Sequence, residues 1–144
     1  MTTKQLRQQA FRRMLEREAG TDADAPAIAA AARRSWERMA QHLTRLIGDA
    51  GVAAIYARSL HLAQRQFPWL APVRASDQGD EPFTRVQVSL AQQEPRVAME
   101  AAVAVLATVG DLLASFIGEG LTTHLLRGAW PDDFAEDSNE ETTP

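Results

Sequence analysis

Cysteine is absent from the 144 residues, which excludes disulfides, thiol catalysis and Cys-ligated metals. Aromatic residues make up only 6% of the chain, with a single tyrosine. Strand-favouring side chains are sparse beside Ala, Leu, Arg, Gln and Glu, so the composition leans toward helix. No phosphate-binding loop, zinc-protease helix or nucleophile elbow is present. Gly118-Glu119-Gly120 has neither a preceding strand nor a following Gly-Lys-Ser/Thr, so it is no phosphate cradle. The first residues, MTTKQLRQQAFRRMLEREAG, lack the apolar core of a secretory leader, and a cytoplasmic location is the default expectation.

Charge is unevenly spread. The net charge is −4, yet residues 1–20 carry five basic and two acidic side chains, and residues 131–144 carry six acidic and no basic ones. The body between them is close to neutral. No broad basic surface is left for nucleic acid, which is not expected as a partner.

What is present is organised around residues 95–130, EPRVAMEAAVAVLATVGDLLASFIGEGLTTHLLRGAW with its preceding glutamate. Between Ala101 and Ile117 the only charge is Asp111. Length alone suggests a membrane span, but helical periodicity places Glu100, Ala104, Thr108, Asp111, Ser115, Gly118 and Thr122 in one narrow sector. Ala98, Ala102, Val105, Val109, Leu112, Leu113 and Phe116 fall opposite. A thin polar stripe on a wide apolar helix is the pattern of a bundle's central helix, and an integral membrane protein is not expected.

The rest of the chain supplies helices to surround it. Residues 4–19 form a short amphipathic helix with Leu6, Ala10, Phe11, Met14 and Leu15 on its apolar side, stopped by Gly20. Lys4, Arg7, Arg12, Arg13 and Arg17 make this helix basic, so it is either a solvated outer helix or an arm for a membrane surface or partner. Asp22, Asp24 and Pro26 mark a second helix start. That helix runs to about Ile47 on a seam of Ile28, Ala32, Ser35, Met39, Leu43 and Leu46, widened by Trp36 and Ile47. Gly48-Asp49-Ala50-Gly51 reads as a short connection, after which a helix over 51–67 returns antiparallel. Val52, Ile55, Tyr56, Ser59, Leu62, Ala63 and Phe67 form its core side. Pro68 and Pro72 end it, with Trp69 and Leu70 plugging the bundle. Residues 73–82 form the longest polar connection. Residues 83–93 fit either period, but a lone strand would lack a partner, so helix is expected. Pro95 opens the central helix, the glycines at 118 and 120 mark a kink or break, and a last short helix covers 121–128. Trp130-Pro131 ends regular structure, and the acidic residues 131–144 read as a disordered tail.

The expected fold is therefore all-α. It is a single-domain bundle of five or six helices with a buried central helix near 95–117, a basic N-terminal helix over 1–20, a bundle domain over 21–130 and an acidic tail. Candidate functional positions are Asp111, Glu119, His124 and Arg127. Asp111 is either an exposed stripe residue or a buried carboxylate with a cationic partner, for which Arg58, Arg65, Arg85 and Arg127 are available. His42, His61 and His124 lie on three different helices, and no Glu-x-x-His pair supports a metal site. No cofactor or metal is expected.

His124-Leu125-Leu126-Arg127-Gly128-Ala129 is similar to the His-x-Leu-Lys-Gly-Ser/Ala motif of histidine phosphotransfer domains. That resemblance implies His124 as phosphoryl acceptor, Arg127 as cationic neighbour and Gly128 as clearance for a receiver domain. Arg127 stands where that family has lysine, and only Ala129 and Trp130 separate the motif from Pro131, leaving no room for that family's downstream helix. Over residues 46–70 and 112–133 the chain resembles a group of small helical bacterial proteins, which implies an all-helical bacterial cytoplasmic domain and no particular activity. The functional expectation is a non-catalytic protein–protein interaction or regulatory module with a protein partner or a homo-oligomeric state. The alternatives are phosphotransfer through His124 and a ligand-binding or enzymatic site near Asp111.

Overall fold

Helices start where the sequence caps them. Thr2 accepts a hydrogen bond from the Gln5 amide at 3.1 Å while the Gln5 side chain accepts from the Thr2 amide at 2.8 Å, a reciprocal box that satisfies two otherwise unpaired donors. Asp24 accepts from the Ala27 amide at 2.9 Å, and Pro26 sits in the first turn of the helix that follows, where its missing N–H costs nothing. Pro95 likewise sits in the first turn of the long apolar helix, which has no side-chain cap at Glu94.

The computed structural model describes residues 2–70 and 82–134. Six α-helices follow one another: α1 (Thr3–Ala19), α2 (Ala25–Ala63), α3 (Pro82–Ala91), α4 (Pro95–Ile117), α5 (Glu119–Ala129) and α6 (Pro131–Phe134). The all-α bundle expected from the sequence is the observed fold. The polar connection over 73–82 lies outside the described residues except for Pro82, and so do residues 135–144 of the acidic tail.

The expected hairpin is made at one residue. Gly48 has φ 77° and ψ 168° inside α2, a left-handed conformation open to glycine and strained for other residues. Trp36 and Tyr56 would stand about 30 Å apart on an unbroken helix, but their ring centroids are 4.4 Å apart. The chain therefore doubles back at Gly48, and residues 49–63 return beside residues 25–47. Tyr56 in turn meets Phe83 of α3 at 5.8 Å. On α3, Phe83, Val86 and Leu90 are buried while Val88 is 54% exposed. A strand would have put Val86, Val88 and Leu90 on one face, so the helical period is the one used.

Helix α4 is long and apolar enough to cross a membrane, but it packs against α1, α2, α3 and α5 of its own chain. Ala98, Ala101, Ala102, Val105, Leu106, Val109 and Leu113 are all buried there. The apolar face stops short of its expected end: Phe116, read as a core residue, is 70% exposed. The reason is Gly118, whose φ of 92° ends α4 and turns the chain into α5. Phe116 is left outside while Ile117 packs against the core, and Thr122, beyond the break, is buried rather than part of the polar stripe.

The first helix is no outer appendage. Phe11, Met14 and Leu15 are fully buried, each burial contributing about 1.5–3 kcal/mol. The apolar side that a membrane-surface arm would need lies inside the protein. Its charges are also used internally: Arg7 meets Asp111, Arg12 meets Glu100 at 3.1 Å, and Arg17 meets Asp133 at 2.7 Å. Pairing of Arg7 with Asp111 and Arg12 with Glu100 shows that α1 runs antiparallel to α4 and covers its polar stripe.

Regular structure also continues past its expected end at Trp130. Pro131–Phe134 form a further helical turn, with Asp133 and Phe134 buried. Phe11, Trp130 and Phe134 form a trio with centroids 5.3–6.1 Å apart, in which Phe11 meets each of the other two rings edge-on and Trp130 and Phe134 are tilted by 39°; edge-on contacts are ones aromatic rings favour. Arg13 donates to the Asp133 carbonyl at 3.2 Å. Residues 131–134 thus belong to the bundle, because Phe134 has an aromatic pocket to fill and Asp133 has cations to meet.

Candidate functional site

The four candidate positions separate into two places. Asp111 and Glu119 come together on α1. The Arg7 guanidinium donates to Asp111 Oδ1 at 2.9 Å and to Glu119 Oε1 at 2.8 Å, and Lys4 Nζ lies 3.6 Å from Asp111 Oδ2. Arg7 is buried, whereas the Asp111 and Glu119 side chains are 27% and 55% exposed. None of the arginines foreseen as partners of Asp111 reaches it in this way. Its cations come from the first helix, because that helix, and not α2 or α3, lies along the polar stripe.

Burial works against the charge of Arg7, but its hydrogen bonds to Asp111 and Glu119 and the charges of those carboxylates outweigh it. The guanidinium pKa is raised above its ordinary value. A raised pKa makes the contribution complete below the unfolded-state pKa and loses it only as pH rises through the higher folded-state value. Arg7 is therefore a permanent cation, and the cluster works as a clamp holding the α4–α5 corner onto α1.

Gly110 makes the clamp possible. A Cβ at this position would stand 2.8 Å from Arg7 Cδ and 3.0 Å from Arg7 Nε. Arg7 cannot swing aside without leaving its carboxylates. Gly110→Ala is expected to destabilise the protein by about 1–2 kcal/mol through overpacking, although alanine is the better helix former by about 1 kcal/mol. In an Arg7→Ala background the same change should become stabilising, a reversal of sign that a double-mutant cycle in urea would read. Arg7 was legible in principle: it shares the α1 face of Ala10, Phe11 and Met14, and an arginine among core positions faces a carboxylate more often than it faces nothing.

His124 and Arg127 lie elsewhere on α5. His124 is exposed and lines a groove of about 280 Å³ between α2 and α5, together with His42, Arg45, Leu46, Leu121, Leu125 and Gly128. Leu46 and Leu121 are 46% and 44% exposed there. Arg38 donates to the Ala129 carbonyl at 3.4 Å, and the His42 ring lies 3.8 Å from the place a Gly128 Cβ would occupy. Leu46, further along α2, lines the groove with Leu121 and Leu125 from earlier in α5, so the two helices run antiparallel along it. His42 Nδ1 lies 3.0 Å from the Arg38 carbonyl, a contact in which Nδ1–H donates and which turns the ring toward the Arg38 end. Among the described residues no three His, Asp or Glu side chains converge on a cation position.

Sequence reasoning missed this groove because Leu46 reads as the next step of a core seam. The signal was that His42, Arg45 and Leu46 share a helix face with Arg38, which leaves that face too polar to be wholly interior. Comparison of the chain with protein-family models, with curated proteins and with solved structures finds no match.

Proposed function

We propose that this protein is a non-catalytic interaction module of the bacterial cytoplasm, which docks a protein partner in the groove between α2 and α5. The observation that supports this reading is the exposure of Leu46 and Leu121 in one concave surface. Isolated exposed leucines are ordinary, but apolar side chains gathered in a groove and rimmed by charge are what interaction sites present. Asp111, the other candidate centre, has its carboxylate committed to Arg7 and Lys4. In this reading α1 and its clamp are the scaffold, and α5 is the helix they hold in place for recognition.

The test is capture from the source cell with wild type and with Leu121→Asp. Leu121 lies on the surface, so the variant should melt with the wild type while losing its bound protein. Retention of the same protein by Leu121→Asp would reject the groove as the docking site.

A second reading has its own observation. His124 and Gly128 are both exposed, one turn apart on α5, with Arg127 beside them. A receiver-domain aspartyl phosphate could pass its phosphoryl group to an imidazole nitrogen there, regenerating the aspartate. Acid-labile phosphate on wild type that is absent from His124→Gln is the expected sign; a wild type that takes up no label from a phosphorylated receiver removes this reading.

A further inference from the structure

The charge around the groove narrows the partner. Arg38, His42 and Arg45 follow one another at helical spacing along the α2 side, and among the described residues none that lines the groove is a carboxylate. Arg38 donates to the Ala129 carbonyl, a neutral acceptor that does not cancel its positive charge. One flank of an apolar groove is therefore cationic. The facing α5 wall is Leu121, His124 and Leu125, with Gly128 at the His42 end.

We infer that the groove takes an acidic amphipathic helix of a partner protein, with leucine-like side chains between Leu46 and Leu121 and its carboxylates along Arg38, His42 and Arg45. This rests on reading the groove as the docking site. Two antiparallel helix walls accept a third helix through anchors at i, i+3, i+4 and i+7, and opposite charge on the flank fixes its orientation and speeds encounter. The chain's own residues 135–144, AEDSNEETTP, have the charge but no large apolar side chain, so they do not supply the apolar half of such a ligand.

The experiment uses the full chain, labelled with 15N, and two helical probe peptides with the same leucine face, one carrying glutamates elsewhere and the other lysines. The glutamate peptide should shift the amides of Leu46, Leu121 and Gly128 and bind at least about tenfold more tightly than the lysine peptide, with affinity falling as salt rises. Arg45→Glu, an exposed change, should reduce or invert that preference without altering the melting curve. Equal binding of both peptides in the groove would overturn the acidic assignment while leaving the docking site standing. Failure of either peptide to shift those amides would overturn this inference. Retention of the captured protein by Leu121→Asp would separately overturn the docking site.

Discussion

Phe11→Ala is expected to destabilise the protein by about 3–5 kcal/mol, the range for truncating a buried phenylalanine. Phe11 is fully buried and is the shared member of two edge-on ring contacts, with Trp130 at 5.9 Å and Phe134 at 5.3 Å. Its loss would leave a cavity walled by two large rings that α6 holds against α1. Those rings cannot collapse inward without pulling α6 off Arg13 and Arg17. Denaturant unfolding followed by tryptophan fluorescence would measure the change. If α1 were a solvated outer helix, the same substitution would cost under about 1 kcal/mol, so the result separates the two placements of the first helix.

Asp111→Ala is expected to cost about 1.5–3 kcal/mol, the range for a hydrogen bond to a charged group, whereas Arg7→Met should be close to neutral. The asymmetry follows from where each partner sits. Arg7 is the buried one, while Asp111 and Glu119 still touch water. Removing Asp111 strands a desolvated guanidinium with only the more exposed Glu119 to answer it. Removing Arg7 leaves two carboxylates that water can solvate and puts an apolar side chain of similar length where the cation was. Replacing a buried ion by an apolar group is often tolerated, and leaving it without its partner is not. Equal costs for the two substitutions would mean that the cluster's carboxylates, and not its cation, are the desolvated members.

The fold was legible because periodicity, caps and breakers agree along the chain. Pro26 and Pro95 open helices, Gly20, Gly48 and Gly118 end or bend them, and the step of three and four residues marks the buried faces of α2 and α3. Three features were not legible, each for a physical reason. The neighbours of α1 could not be read from its own short apolar face, so its five cations looked free when they are used on Glu100, Asp111, Glu119 and Asp133. Composition made the acidic end read as a tail, but Phe134 and Asp133 are held by partners more than a hundred residues away in sequence. Phe116 and Leu46 lie near a helix end and a helix break, at Gly118 and Gly48, where periodicity continues but burial does not. Of the candidate site residues, Asp111 and Glu119 proved to be parts of one clamp, while His124 lies with residues of α2 that no sequence spacing connects to it.

These placements give α1 and α5 different tasks: the first closes the core and the second presents a surface. The measurement that addresses this division most directly is photo-cross-linking in the source cell from a light-activated residue at position 121, with one at Val88 as the control. Val88 is also apolar and more exposed, and among the described residues it is the one exposed large apolar side chain of α3. A defined adduct from position 121, with nothing comparable from position 88, is the result expected if the α2–α5 groove is where a partner docks. Adducts of equal yield and identity from both positions, or none from position 121, would contradict it.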